Sequence, residues 1–476
     1  MGLCRSLAYA RAQRPGFVSE LKDFLRFPSV SSDPRHRGDV VACAQWLAQH
    51  LKQIGLECVK VIPTRGNPLV YASWEHDKRG PTVLIYGHYD VVSARPMAAW
   101  ETLPFAPTLK GLDLYARGAC DDKGQLFCHL KAIESYLSTH GSLPLNVKCI
   151  FEGEEEIGSG NLLDFIEGHK GALQADAAVI SDTKLLGPGQ PAITYSERGG
   201  LRAELEVRGP EHELHSGTFG GAVLNPIQAL CQIIERLHDD CGRVAIPGFY
   251  DDVHDWDTVE RAYMSRVGPS DEKILRDAHV ERGWGERGFS AYERTTIRPA
   301  LTLNGISGGH AGPGAKGVIP DVAVAKLSFR LVPNQDPHRV GELFRAYITR
   351  ITPREVRSSV RLSSLVPPVV IDRQLPAMRA AALAYEKGFD RAPVFLRSGG
   401  SIPVAGAFQE ALGVPVVLMG FGLPDDNIHG PNEKFHLPNF FRGIETSIWF
   451  LAIAASTLGR RATNRPAVSN QAHHLP

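Results

Sequence analysis

The sequence predicts an α/β protein: a helix-covered sheet built from two separated stretches of chain, with an α+β domain inserted between them. Three observations carry this. Short apolar runs, partly β-branched, alternate with amphipathic segments up to about residue 180, the pattern of strands and helices packed in layers. From about Gly199 the pattern changes, because residues 201–207 alternate apolar and polar side chains like a strand with one solvated face. After about Pro367 the first pattern returns. A chain of 476 residues accommodates such an arrangement, at roughly 100–200 residues per domain.

Taken in order, residues 17–27 and 40–54 read as amphipathic helices; in the second, Val41, Ala44, Leu47 and Leu51 recur at helical spacing. Strands are expected at 69–74, 83–86, 147–151 and 177–180, with a helix at 126–137. In the inserted region the strand 201–207 precedes a helix over 225–237, a strand over 323–332 and a helix over 340–351. The span 239–299 is rich in Asp, Arg and Gly, has weak periodicity, and reads as helix and loop. The closing stretch carries a helix near 377–388, a buried strand at 414–419 and a last helix at 440–458. The polar tail 460–476 reads as frayed.

Lys and Arg total 52 against 52 Asp and Glu, so no net field draws the chain to nucleic acid or anionic lipid, and a small-molecule partner is expected. The eight cysteines at 4, 43, 58, 120, 128, 149, 231 and 241 form no CxxC pair and no cluster, which in a long chain favours a reducing compartment over a disulfide framework. No apolar run approaches the roughly 18 residues needed to cross a bilayer, and the start lacks a signal-peptide core. A cytoplasmic protein without a membrane span is expected.

The chemical signal sits where the expected strands end. The run 82–86 delivers Gly87-His88-Tyr89-Asp90, so His88 and Asp90 share one face of an extended segment. Asp90 can give His88 the orienting hydrogen bond that metal-bound imidazoles usually have; a structural His beside a helix-capping Asp is the plainer alternative. Gly118-Ala119-Cys120-Asp121-Asp122-Lys123-Gly124 opens the helix at 126–137, where adjacent carboxylates also read as an N-cap and its neighbour. Strand 147–151 runs into Glu152-Gly153-Glu154-Glu155-Glu156-Ile157-Gly158-Ser159. On a surface these acids would be solvated charge, but at a sheet edge their crowding is best compensated by divalent cations. Asp182 comes after strand 177–180, and Asp425-Asp426-Asn427-Ile428-His429-Gly430 after strand 414–419. Each plain reading survives alone, yet together they require independent coincidences at five strand ends. Imidazole and carboxylate ligands without Cys suit Zn²⁺, Mn²⁺ or Co²⁺, and the set reads as a two-metal hydrolase.

These motifs, with His215-Ser216-Gly217 and Arg397-Ser398-Gly399-Gly400-Ser401-Ile402-Pro403, resemble the co-catalytic metallopeptidase family that contains cytosolic nonspecific dipeptidase, carnosinase and aminoacylase. The dipeptidase branch is resembled most, through 214–221 and Phe329-Arg330-Leu331-Val332-Pro333-Asn334. The resemblance implies an α/β fold with a discontinuous catalytic domain, 1–199 and 373–476, on a helix-covered mixed sheet, and an inserted α+β lid and dimerisation domain, 200–372. It implies two divalent metal ions per subunit, bridged by Asp121, with His88 and Asp182 completing one site and Glu156 and His429 the other. Glu155 is then the general base, Glu154 an extra acid, and Asp90 the residue that orients His88. A cis peptide after Asp121 is also implied, and His215 reaches across a homodimer as the hydrogen-bond donor to the oxyanion, a buried structural His being the alternative.

An exopeptidase acting at a free carboxylate needs a fixed cation, which Arg330 supplies in bidentate form; a structural ion pair is the competing reading. Ser401 and the Gly399-Gly400 backbone N–H groups suit the same group. Lys316 and Tyr195 are further candidates for the pocket lining, although a loop Lys is usually just solvated. The expected activity is hydrolysis of dipeptides or short peptides. An N-acyl-amino-acid amidohydrolase is the alternative, and a catalytically inactive binding protein is disfavoured by the intact acids and both histidines.

Overall fold

The structure, a computed structural model, describes residues 2–459, so the tail 460–476 lies outside the described residues. The chain forms two compact units: one takes the chain up to Tyr195, Ile371–Leu396 and the chain from Pro403 onward, the other Ser196–Val370 and Arg397–Ile402. Residues 397–402, assigned from sequence to the outer domain, cluster with the inserted unit. Within that unit the Ser401 hydroxyl donates to the Arg198 carbonyl, and the Tyr292 hydroxyl to the Arg397 carbonyl at 3.0 Å.

The sheet of the first unit is mixed. From one edge its strands run Lys60–Ile62, Leu69–Trp74, Asn146–Glu152, Thr82–His88, Ala177–Ile180, Val416–Leu418 and Ala192–Glu197. The four from Asn146–Glu152 to Val416–Leu418 are mutually parallel, and the flanking strands pair antiparallel. All of these central strands are buried along their whole length, as strands covered on both faces must be, which is why their sequences are continuous apolar runs. Neighbouring residues show the two covers: the Tyr86 ring meets Phe408 of helix Pro403–Leu412 edge-on, while a Cβ on Gly87 would strike Leu126 of helix Lys123–His140. Successive residues face opposite sides of a strand, so these helices lie on opposite faces. Helices Leu437–Thr457, Pro376–Phe389 and Gly2–Ala12 extend the second cover by packing on Lys123–His140 and on one another.

The second unit is an antiparallel sheet in the order Ala300–Gly308, Val322–Leu331, Gly199–Arg208, Arg357–Val366. Its buried face, including Leu201, Leu205, Leu327 and Phe329, packs with helices Pro226–Glu235 and Pro337–Ile351. Alternation places Arg202, Lys326 and Arg330 on the other, exposed face. The span 239–299 contains helices Thr258–Val267, Asp271–Asp277 and Ala291–Thr296, each N-capped by Asp or Ser. Among the described residues no helix is long and apolar enough to cross a membrane.

One cluster of the first unit has the composition of a metal site, Glu20, His50 and Glu134, but its centre is a lysine. Lys131 Nζ lies 2.5 Å from Glu20, 2.6 Å from Glu134 and 2.9 Å from His50 Nε2, with its side chain fully buried. Burial and the neighbouring ammonium push His50 down to about 3, so it stays neutral and accepts from Lys131. Lys131→Met leaves the two carboxylates uncompensated, and unfolding free energy is expected to fall by about 3 kcal/mol. That is the low end for a broken buried pair, because the Glu20 side chain is 42% exposed. Denaturant unfolding checks this, and an unchanged midpoint contradicts it.

Candidate active site

The register of the parallel strands brings the chemistry to one edge. His88 is the last residue of its strand and pairs with Glu152, while Ile180 pairs with Tyr86 and with Leu418. The segments after these strands therefore leave from the same carboxyl end, where α/β sheets form their sites: Tyr89-Asp90, the turn Glu155–Ile157, Asp182, and the loop with His429. Gly158 ends that turn at φ +104, a backbone conformation that favours glycine. Asp121 arrives on the loop before helix Lys123–His140, and its peptide bond to Asp122 is cis.

Asp121 stands between two imidazoles. Its Oδ1 is 3.1 Å from His88 Nε2 and its Oδ2 is 2.9 Å from His429 Nε2. Asp182 Oδ2 lies 3.8 Å from His88 Nε2, and Glu156 Oε2 3.1 Å from His429 Nε2. Two ligand groups result, His88/Asp121/Asp182 and Asp121/Glu156/His429, each with ligand atoms within 4.8 Å of one another. Ligands bonded at about 2.0–2.2 Å to a tetrahedral ion sit roughly 3.3–3.6 Å apart, so both groups fit a divalent cation and share one carboxylate.

The electrostatics agree with that fit. Burial pushes Asp182 up, and the nearby Asp121 charge adds to it; burial likewise raises Glu156. Burial also raises Asp121, but hydrogen bonds to His429 and His88 outweigh it and hold its carboxyl below the usual range. His429 is pushed up to about 10 by Asp121 and Glu156. In His88 burial opposes the charge, yet Asp121 and Asp90 win and the imidazole is raised. Protons on the two histidines thus balance crowded acids in places where a cation would do so better. Glu155 is pushed up to about 7, first by burial and further by Glu156, Asp121 and Asp90. Its carboxylate, unlike that of Glu156, takes no hydrogen bond among the described residues.

The supporting contacts differ in part from the sequence reading. His88 Nδ1 meets the Asp90 carbonyl at 3.1 Å and the carboxylate at 3.4 Å, which leaves Nε2 for the cluster. The Asp90 carboxylate also accepts the backbone N–H groups of Glu155 and Glu156, each at 3.2 Å, so one side chain registers the histidine against the acid turn. Asp122 does not cap its helix through its side chain; its Oδ2 accepts the His88 N–H at 3.2 Å. Glu154 is a clasp, accepting from Asn67 N at 2.9 Å and Asn161 Nδ2 at 2.6 Å. His129, held neutral at about 4 by burial, contacts Ser181 Oγ at 2.6 Å beside Asp182.

In the second unit Arg330 Nη1 donates to Ser401 Oγ at 3.2 Å, and Arg330 makes no ion pair among the described residues. Gly399 is tightly enclosed, because a Cβ there would lie 2.5 Å from the Thr295 carbonyl oxygen, and the Gly400 N–H donates to Ser398 Oγ at 3.1 Å. His215 is exposed, so it is not a buried structural histidine; its Nδ1 accepts the Gly217 N–H at 3.1 Å. The two remaining pocket candidates are engaged elsewhere. Lys316 pairs with Glu213 at 2.5 Å on the surface. In the first unit Tyr195 is 3% exposed, packed against Phe395 and under the Arg373 guanidinium.

Comparison with known proteins places these features. The profile of peptidase family M20/M25/M40 matches residues 84–451, a span that takes in both ligand groups. The Cys-Gly metallodipeptidase DUG1 of Candida albicans is 33% identical over 454 residues, 91% of this chain and 93% of that protein. The Beta-Ala-His dipeptidase of Homo sapiens is 30% identical over 464 residues, 94% of this chain and 92% of that protein. The solved structure of the di-peptidase Dug1p from Saccharomyces cerevisiae matches with a TM-score of 0.84 at 29% identity, covering 96% of this chain and 99% of that chain. The chain belongs to peptidase family M20/M25/M40.

Proposed function

We propose that this chain is a metal-dependent dipeptidase whose centre is the pair of groups sharing Asp121. The observation that carries the reading is the position of Asp121, one carboxylate oxygen toward each imidazole. Two divalent cations, Zn²⁺ or Mn²⁺ with Co²⁺ as a further option, would supply Lewis-acid activation of a water and of the scissile carbonyl when bound there. Glu155 takes the attacking water's proton and returns it to the leaving amine, a role that needs a carboxylate beside the ligands without being one of them. Asp90 keeps Glu155 in register with His88. Arg330 and Ser401, with the Gly399-Gly400 backbone, recognise the substrate's terminal carboxylate; the exposed guanidinium, which makes no ion pair among the described residues, supports this over a structural ion pair. His215 donates a hydrogen bond to the developing oxyanion from the partner copy of a homodimer assembled through the inserted domain. A cytoplasmic location accords with eight free cysteines among the described residues.

The reading is tested by stripping the purified chain with chelator and reloading it separately with Mn²⁺ and Zn²⁺. Hydrolysis of free dipeptides should vanish on stripping and return with at least one ion. Turnover restricted to N-acyl amino acids would replace the dipeptidase by an amidohydrolase, and no turnover despite bound metal would point to a binding protein.

A further inference from the structure

Four residues before Asp121 and four after His429 stand Arg117 and Glu433, neither of which belongs to a motif of the site. They form an ion pair with Arg117 Nη1 2.7 Å from Glu433 Oε2, the side chains 2% and 0% exposed. The backbone brings them together: strands Asp113–Tyr115 and Lys434–His436 pair antiparallel, with Lys434 opposite Tyr115, and the Ala116 N–H donates to the Glu433 carbonyl. A buried ion pair of this kind is poor evidence for stability, since apolar residues of similar size often serve as well. What apolar residues cannot reproduce is the set of further contacts.

Glu433 Oε1 accepts the N–H groups of Cys120 at 2.9 Å and Asp121 at 3.1 Å, and Oε2 accepts that of Gly118 at 3.0 Å. The carboxylate therefore gathers three backbone donors of one loop, including the N–H of the shared ligand itself. On its other side Arg117 Nη2 donates to the carbonyl of His429 at 3.2 Å and of Gly430 at 2.9 Å, and the guanidinium rests on the Trp100 ring at 5.2 Å. Only an acceptor with several lone pairs and a donor with a planar fork can tie two loops in this way. The loop of Asp121 and the loop of His429 are joined through one ion pair, each held at the backbone of the ligand residue.

We propose that Arg117 and Glu433 are a positioning pair, a clamp that sets the separation of Asp121 and His429 and so governs occupancy of the Asp121/Glu156/His429 group. The proposal rests on the reading of those residues as metal ligands. The two groups are unequally exposed to its loss: the group with His429 depends on both clamped loops, the group with His88 and Asp182 on one. Glu433→Gln and Arg117→Met should therefore weaken one of two bound ions by about 10–100-fold, the size of effect seen when supports of metal ligands are removed, and leave the other near its wild-type affinity.

The test titrates the stripped full-length chain with Zn²⁺ and with Co²⁺, reading stoichiometry from metal analysis and ligand geometry from the Co²⁺ visible spectrum, alongside the melting temperature of the metal-free protein. Lys131→Met serves as a destabilised control that should keep both ions. The double variant Arg117→Met/Glu433→Met leaves no uncompensated charge, so its metal-free melting temperature should recover toward wild type while one ion stays weakly held. Two ions bound at wild-type affinity in the single variants, metal affinity that tracks melting temperature across all four variants, or joint recovery of both in the double variant would each overturn the clamp. A wild-type chain that fails to bind two ions would instead overturn the ligand reading, and the clamp with it.

Discussion

Glu155→Gln is expected to lower kcat for dipeptide hydrolysis by about 10²–10⁴-fold, the usual worth of a general base, while two metal ions still bind and KM changes little. The substitution keeps the side chain's shape and removes only its capacity to take a proton. Glu155 is not among the five residues of the two ligand groups, so stoichiometry should not move. Its backbone N–H to Asp90 is untouched, so the turn and the register of His88 should persist. Burial, with Glu156, Asp121 and Asp90 close by, pushes this carboxylate up to about 7 in the metal-free chain, which sets it apart from a surface ion pair. Paired measurement of metal content and steady-state kinetics decides the matter. Residual activity above a tenth of wild type would remove Glu155 from the mechanism, and loss of a metal ion would make it a ligand instead.

Much of this architecture is legible in the amino-acid sequence, and the reasons are physical. Strands Leu69–Trp74 and Ala177–Ile180 are buried along their whole length, so their apolar runs end where the strands end. Strand Arg357–Val366 escapes such a reading because it is a sheet edge whose side chains are half-buried or exposed throughout; only Val360 and Leu362 mark its core-facing side before the alternation breaks at Ser363-Ser364. Ala192–Glu197 is fully buried yet includes Thr194, Ser196 and Glu197, with Glu197 accepting the N–H of Ile402 from far along the chain. The candidate ligands His88, Glu156 and Asp182 are legible because each stands at the end of a buried apolar strand or just after it, and Asp121 because it stands where helix Lys123–His140 opens. Arg117 and Glu433 are not, since their role depends on contacts between positions 316 residues apart, which no local pattern encodes. The expected lining roles of Lys316 and Tyr195 rest on residue type alone, and the structure gives those side chains other partners.

Asp121→Asn should be the most damaging single substitution, because Asp121 is the one residue common to both ligand groups. A carboxylate presents acceptor oxygens in two directions, and both are used here, toward His88 and toward His429. An amide offers one oxygen and, on the other side, an N–H₂ that can only donate. Whichever way it turns, one group loses a ligand and meets a donor where a cation needs an acceptor, and the negative charge shared by both is gone. Bound metal should drop from two ions to one or fewer, and kcat/KM by at least about 10³-fold, equivalent to roughly 4 kcal/mol of lost transition-state stabilisation. Asp182→Asn and His429→Ala, which each belong to a single group, should leave one ion in place and identify which group the survivor occupies. If Asp121→Asn retained two ions at wild-type affinity, the shared-carboxylate geometry would not be the metal centre, and the hydrolytic site would have to be sought elsewhere in the chain.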